Sequence, residues 1–226
     1  MRKCELIFAL DKPRRRDFIY WIDATKDLIS FYKVGLVGFT SLGKDAITIL
    51  KKRKKKVFLD LKFFDIPNTM IGASLNAINW GVDMLDFHLA QDKHSLAETL
   101  DGIKKSVRKT KKNMPAILGV TVLTSETTSS TIQSYVLNLA RKAKEVGFDG
   151  VVTSGKEAKG VRKKLGKKFI IVTPGIRLKR SLDDQRRAVT PKDVKGTSDF
   201  IVVGRPIYES KKFRKVIDEI RIDLEG

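Results

Sequence analysis

A chain of 226 residues, 42% of them apolar, is long enough for one sizeable domain and apolar enough to bury a core, which excludes a disordered chain. The single cysteine, Cys4, excludes an internal disulfide and the usual thiolate metal frameworks, and with His88 and His94 as the only histidines a His-based metal site would need carboxylates to complete it. The formal net charge of +20 raises the question of a nucleic-acid or acidic partner, which the arrangement of the charge must answer.

The first apolar run, Leu6 to Leu10, stops at Asp11 and is too short for a signal peptide. No stretch approaches the length of a membrane span, and a reducing cytoplasm is the expected compartment. Short apolar, β-branched runs read as strands at 4–10, 31–37, 56–61, 82–88, 116–122, 149–153, 169–173 and 199–203. Helical periodicity fills most of the gaps, as in Ile132, Tyr135, Val136, Leu139 and Ala143. Strand then helix, repeated through the chain, predicts parallel pairing. The even number of strands and the chain length favour a single closed (β/α)8 TIM-type barrel spanning 1–226. An open doubly wound sheet is the alternative that periodicity alone leaves standing.

Basic runs occur at 51–56, 104–112 and 162–168. Each ends a predicted helix and precedes a predicted strand. Cations are favoured at helix C-termini, and in a barrel these connections lie on the face opposite an active site. The runs lack interleaved aromatics, so nucleic-acid binding is the disfavoured explanation of the charge.

Asp60 and Lys62 stand two apart at the end of the third predicted strand, so their side chains share a face. In a barrel that face is the interior, at the mouth. An ion pair there has an ordinary structural explanation, and a lysine such as Lys33 in the second strand could simply snorkel. Asp11 ends the first strand, however, and the recurrence of charge at neighbouring strand ends argues for an alternating network. Asp65 follows on the next loop. Further on, Thr173-Pro174-Gly175-Ile176-Arg177 and Val203-Gly204-Arg205-Pro206 place glycines and arginines in the turns after strands seven and eight. These turns form the common phosphate site of barrel enzymes. Leu178 to Pro191 is long for such a connection and reads as a lid beside that site.

These residues resemble the orotidine 5′-phosphate decarboxylase family, in its bacterial branch. The resemblance rests on D-x-K-x-x-D-I-x-N-T at Asp60 to Thr69 and on A-L-D at Ala9 to Asp11. It continues in Y-K-V-G around Lys33, L-T-S at Leu123 to Ser125, and T-P-G-I-R at Thr173 to Arg177. D-D-Q at Asp183 to Gln185 and V-G-R-P-I at Val203 to Ile207 complete it. It implies decarboxylation of orotidine 5′-phosphate to uridine 5′-phosphate, in pyrimidine biosynthesis, without a cofactor or metal. Lys62 would protonate C6 of the base, within a charged tetrad of Lys33, Asp60, Lys62 and Asp65. Asp65 would come from the neighbouring subunit of a homodimer with shared sites. Asp11, Lys33 and, across the interface, Thr69 would hold the ribose, with Ile66 also at the substrate. Thr124 would meet the base edge and Pro174 its face. Arg177, Gln185, Gly204 and Arg205 would hold the phosphate.

After His88 the family often has H-A-x-G-G, and those glycines are absent here; His88 itself is expected to be structural. A related family of Mg2+-dependent sugar-phosphate barrels shares D-x-K-x-x-D. It usually carries an acidic residue where Lys33 stands and lacks the I-P-N-T continuation.

Overall fold

The computed structural model describes residues 3–123, 130–178 and 189–225 of the chain. It is built of parallel strands and intervening helices, in the order β1 (Glu5–Ala9), α1 (Arg15–Thr25), β2 (Phe31–Val34), α2 (Leu36–Leu42), α3 (Lys44–Lys52) and β3 (Lys56–Phe63). Then come α4 (Pro67–Asn79), β4 (Met84–His88), α5 (Lys93–Thr110), β5 (Ala116–Val120) and α6 (Ser130–Val146). The last part holds β6 (Gly150–Val152), α7 (Gly155–Leu165), β7 (Ile170–Thr173), α8 (Pro191–Val194), β8 (Phe200–Val203), α9 (Arg205–Tyr208) and α10 (Phe213–Glu225). The strands close in sequence order, β1 pairing with both β2 and β8, so the open-sheet alternative is removed.

Alternation along each strand separates two apolar clusters. Ile7, Phe31, Phe58, Met84, Leu118, Val152, Val172 and Val202 fill the barrel. Their immediate neighbours in each strand, such as Phe8, Tyr32, Leu59, Leu85 and Ile171, pack outward against the helices. The inner cluster makes the barrel solid, so a ligand can enter only at the mouth, above these side chains.

Every predicted strand is found, and one boundary moves materially. The run 31–37 ends as a strand at Val34, and Leu36 begins α2. Gly35 makes the break. Its N–H donates to Asp11 Oδ1 at 2.9 Å, so a side chain just past the end of β1 takes the donor a longer strand would have used.

The basic runs lie where the connections enter the strands, opposite the mouth. There the runs 51–56 and 162–168 fasten the barrel floor. Asp83, Asp149 and Asp199 each precede a strand and accept a backbone N–H from the strand before, those of Val57, Ile117 and Ile171, at 2.7–2.8 Å. Lys51 pairs with Asp83 and Arg162 with Asp199. Arg53 reaches Asp23, and Lys55 donates to the carbonyl of Ile29. Among the described residues no helix is long and apolar enough to cross a membrane.

Candidate active site

The mouth is formed where β1, β2 and β3 end. Lys33 Nζ, on β2, lies 3.0 Å from Asp11 Oδ2 and 3.1 Å from Asp60 Oδ2. Lys62 Nζ pairs with Asp60 Oδ1. The order is therefore Asp11, Lys33, Asp60, Lys62, with alternating sign. Burial alone would discharge Lys33, but Asp60 and Asp11 outweigh it and hold the ammonium above its ordinary range. Burial likewise pushes Asp60 up, and Lys33 and Lys62 override it, leaving the carboxyl well below its usual value. Both groups are thus charged at neutral pH, and the ion pairs keep them so. Gly35 leaves room for this contact. A Cβ there would stand 2.6 Å from Asp11 Oδ1 and 2.8 Å from Lys33 Nζ, so a side chain would force the ends of both to shift.

Two cavities open beside the network. One of about 120 Å3 is lined by Lys33, Asp60, Lys62, Val122, Leu123, Pro174 and others, and is mostly apolar away from the charges. The second, of about 470 Å3, shares Lys33, Asp60 and Pro174 and extends to Gly175, Arg177, Gly204, Arg205 and Tyr208. Gly175 takes a left-handed φ of 77°, which turns the chain toward this cavity. Pro206 stands in the first turn of α9, directly after Gly204 and Arg205. The feet of the long connection are tied together. Ile176 bridges Val189, and the Arg177 N–H donates to the Val189 carbonyl at 2.9 Å. Of the expected lid, Leu178 to Pro191, residues 179–188, Gln185 included, lie outside the described residues, as does Thr124.

Asp65, Ile66 and Thr69 do not join the network of their own chain. All are exposed, on the loop after β3 and the first turn of α4. Asp65 Oδ1 accepts the N–H of Ile66, and Gln91 holds the Asp65 carbonyl. His88 is engaged locally. Its Nδ1 accepts the N–H of Ala90, and its ring meets Phe64 edge-on. At the positions of the missing glycines stand Gln91 and Asp92, neither of which is among the residues with positive φ.

Sequence reasoning missed Asp86, Gly35 and Tyr208. Asp86 lies on β4 beneath Lys62 and accepts its backbone N–H at 2.8 Å. A lone carboxylate of inward parity in the apolar strand Met84–His88 was the available signal. Tyr208 lines the larger cavity, with Lys12 Nζ 3.6 Å from its ring centre.

Residues 5–220 match the family described as "Orotidine 5′-phosphate decarboxylase / HUMPS family". The chain belongs to this family. Curated relatives named orotidine 5′-phosphate decarboxylase include one from Syntrophus aciditrophicus (strain SB), 39% identical over 90% of this chain and 86% of its own. Another, from Geobacter metallireducens, is 38% identical over 91% of this chain and 90% of its own. The crystal structure of orotidine 5′-phosphate decarboxylase from Lactobacillus acidophilus superposes with a TM-score of 0.81 at 29% identity and full coverage of both chains. Family membership agrees with the closed barrel.

Proposed function

We propose that this chain is a carboxy-lyase that converts orotidine 5′-phosphate to uridine 5′-phosphate without metal or organic cofactor. It would act in pyrimidine biosynthesis in the cytoplasm, as one barrel domain per chain. The observation that carries the reading is the partly buried Asp11–Lys33–Asp60–Lys62 array between a small apolar cavity and a larger arginine-bearing one. The small cavity suits a pyrimidine against Pro174. The larger suits a ribose at Asp11 and Lys33, with its phosphate toward Arg177, Gly204 and Arg205. Gln185 and Thr124 would complete the phosphate and base contacts.

The chemistry follows from charge. The C6–carboxylate bond breaks, CO2 departs, and the electron pair stays on C6 in the plane of the ring, where the ring cannot delocalise it. A fixed ammonium at Lys62 stabilises the developing anion and then gives C6 a proton; water restores it. Asp60 holds Lys62 by its Oδ1 and Lys33 by its Oδ2, so neither ammonium need reorganise as the bond breaks. The small cavity is walled by Val120, Val122 and Val152, which keep bulk water from the anion.

The Mg2+-dependent alternative meets an obstacle in Lys33. Its ammonium occupies the centre of the carboxylate set, where it would repel a divalent cation. Loss of orotidine 5′-phosphate, followed spectrophotometrically, should therefore proceed undiminished after exhaustive dialysis against EDTA. Activity that vanished with EDTA and returned with Mg2+ would assign the chain to the sugar-phosphate chemistry instead.

The active unit is proposed to be a two-fold dimer with shared sites. Support comes from the exposed Leu36 and Val37 at the start of α2 and from Phe64 and Ile66 after β3. The two pairs follow the adjacent strands β2 and β3, and Phe64 and Ile66 flank Asp65 in the chain.

The basic runs are given no part in turnover or in nucleic-acid binding. Neutralising Lys51, Lys52, Arg53, Lys54, Lys55 and Lys56 should lower stability, since Lys51, Arg53 and Lys55 make the floor contacts. It should leave kcat within about twofold, the charge acting on substrate capture only through the general field. A tenfold fall in kcat would place that segment at the chemistry.

A further inference from the structure

We infer that Asp86 is a positioning residue for Lys62: as an uncharged acid it fixes the Lys62 backbone with one oxygen and donates a hydrogen bond to Asp60 with the other. The inference rests on the reading of Lys62 as the proton donor. Asp86 is 1% exposed. Its Oδ1 accepts the Lys62 N–H, while its Oδ2 is buried and meets no donor. The side chain within hydrogen-bonding reach is the Asp60 carboxylate, already held by both ammoniums.

The charges balance without Asp86. Lys33 and Lys62 offset Asp11 and Asp60, so an ionised Asp86 would add an uncompensated buried anion against another carboxylate. A single proton turns that repulsion into an O–H···O− hydrogen bond. Burial first, then Asp60, pushes the Asp86 carboxyl well above the ordinary range, whereas Asp60 is held below it, so the proton resides on Asp86. Facing Asp86 among the described residues are Asp60 and Lys62 from β3 and the apolar Leu118 in register on β5. Lys33 acts on it through Asp60, and His88, two residues on in its own strand, is engaged with Ala90 and Phe64.

What Asp86 holds is unusual backbone. Between Leu59 and Phe63, β3 bulges against β4, where the facing residues are Leu85 and Phe87. Lys62 lies in the bulge with φ of 52°, a left-handed value rare for a residue with a side chain. The bulge takes the Lys62 N–H off the strand ladder, and Asp86 Oδ1 supplies the acceptor. Without it the backbone can relax and carry Nζ away from its aim.

The test uses Asp86→Asn and Asp86→Leu in the full chain, assayed beside the wild type. Asparagine keeps an acceptor for the Lys62 N–H and a donor for Asp60, so its kcat should stay within about threefold of wild type. Leucine keeps neither, and a displacement of about 1 Å should cost on the order of 100-fold in kcat, with KM nearly unchanged. Exchange of the Lys62 amide should quicken in the leucine variant alone.

A second readout does not depend on activity. The folded wild type keeps a proton that the unfolded chain releases above the ordinary Asp pKa. Its stability, at equal protein concentration, should therefore fall relative to Asp86→Asn by about tenfold in folding constant per pH unit, from about pH 4 to the raised pKa. Parallel pH–stability curves would overturn the uncharged acid. So would an asparagine variant as slow as leucine, because it would show that the negative charge is needed. A leucine variant with wild-type kcat would overturn the positioning role. If leucine prevents folding, amide exchange at Lys62 in Asp86→Ser decides the backbone role: unchanged exchange overturns it. A wild type inactive on orotidine 5′-phosphate would refute the proposed function while leaving the pH–stability and exchange results to stand or fall alone.

Discussion

Lys62→Ala is expected to fold normally and to lose decarboxylation by on the order of 10⁴-fold or more, since one substitution removes both the cation facing the carbanion and the proton it receives. The fold should tolerate the change. Lys33 still neutralises Asp60, and Lys62 is partly exposed at the mouth rather than packed in the core. Alanine also carries a Cβ, so the cost of the left-handed backbone at this position is the same as for lysine. The comparison is initial rate against an unchanged circular dichroism spectrum and melting temperature. A folded variant with near-normal turnover would remove Lys62 from the chemistry.

Mixing two inactive chains should restore activity. Lys62→Ala loses the donor of its own mouth, and Asp65→Ala loses the residue proposed to enter the neighbour's mouth. In a hybrid dimer one mouth receives both defects and the other neither. Random exchange makes about half the dimers hybrid, each with one sound mouth, so about a quarter of wild-type activity should appear. The single-chain geometry is what makes this worth measuring. Asp65 is exposed and outside the Asp11–Lys33–Asp60–Lys62 array, and apolar side chains border it. Exchange demonstrated by labelled subunits, with no recovery of rate, would mean that each mouth is complete within its own chain.

The barrel was legible because each inward apolar residue is followed by an outward one, and because helices with a single apolar face separate the strands. The charged array was legible for a related reason. Asp11, Lys33, Asp60 and Lys62 interrupt apolar strands at their ends, where an unpaired charge would be costly. Other features leave no such trace. The end of β2 was misjudged because Val34-Gly35-Leu36-Val37 is as apolar as a strand; the break comes from Asp11, distant in sequence, capping Gly35. The left-handed turn at Lys62 carries no glycine to announce it. Asp86 looked like one stray acid in Met84–His88, because its meaning depends on a bulge in the neighbouring strand. The tie between Ile176 and Val189 depends on pairing across a connection whose middle gives no periodic pattern.

The bulge in β3 also constrains how this mouth can change. From Leu59 to Phe63 the strand advances four residues while β4 advances two, from Leu85 to Phe87. The excess is even, and in–out alternation has a period of two, so phase is kept: Leu59, Leu61 and Phe63 pack outward, while Phe58, Asp60 and Lys62 look inward. An insertion or deletion of one residue here would exchange the two sets, bringing Phe63 into the mouth and sending an ammonium into the apolar layer under the helices. A change of two would keep the phase but slide the ammonium roughly 6–7 Å along the strand. Length variation in this segment is therefore confined to coarse steps, and fine adjustment of the distance between Asp60 and Lys62 is left to backbone angles and to side chains on the next strand.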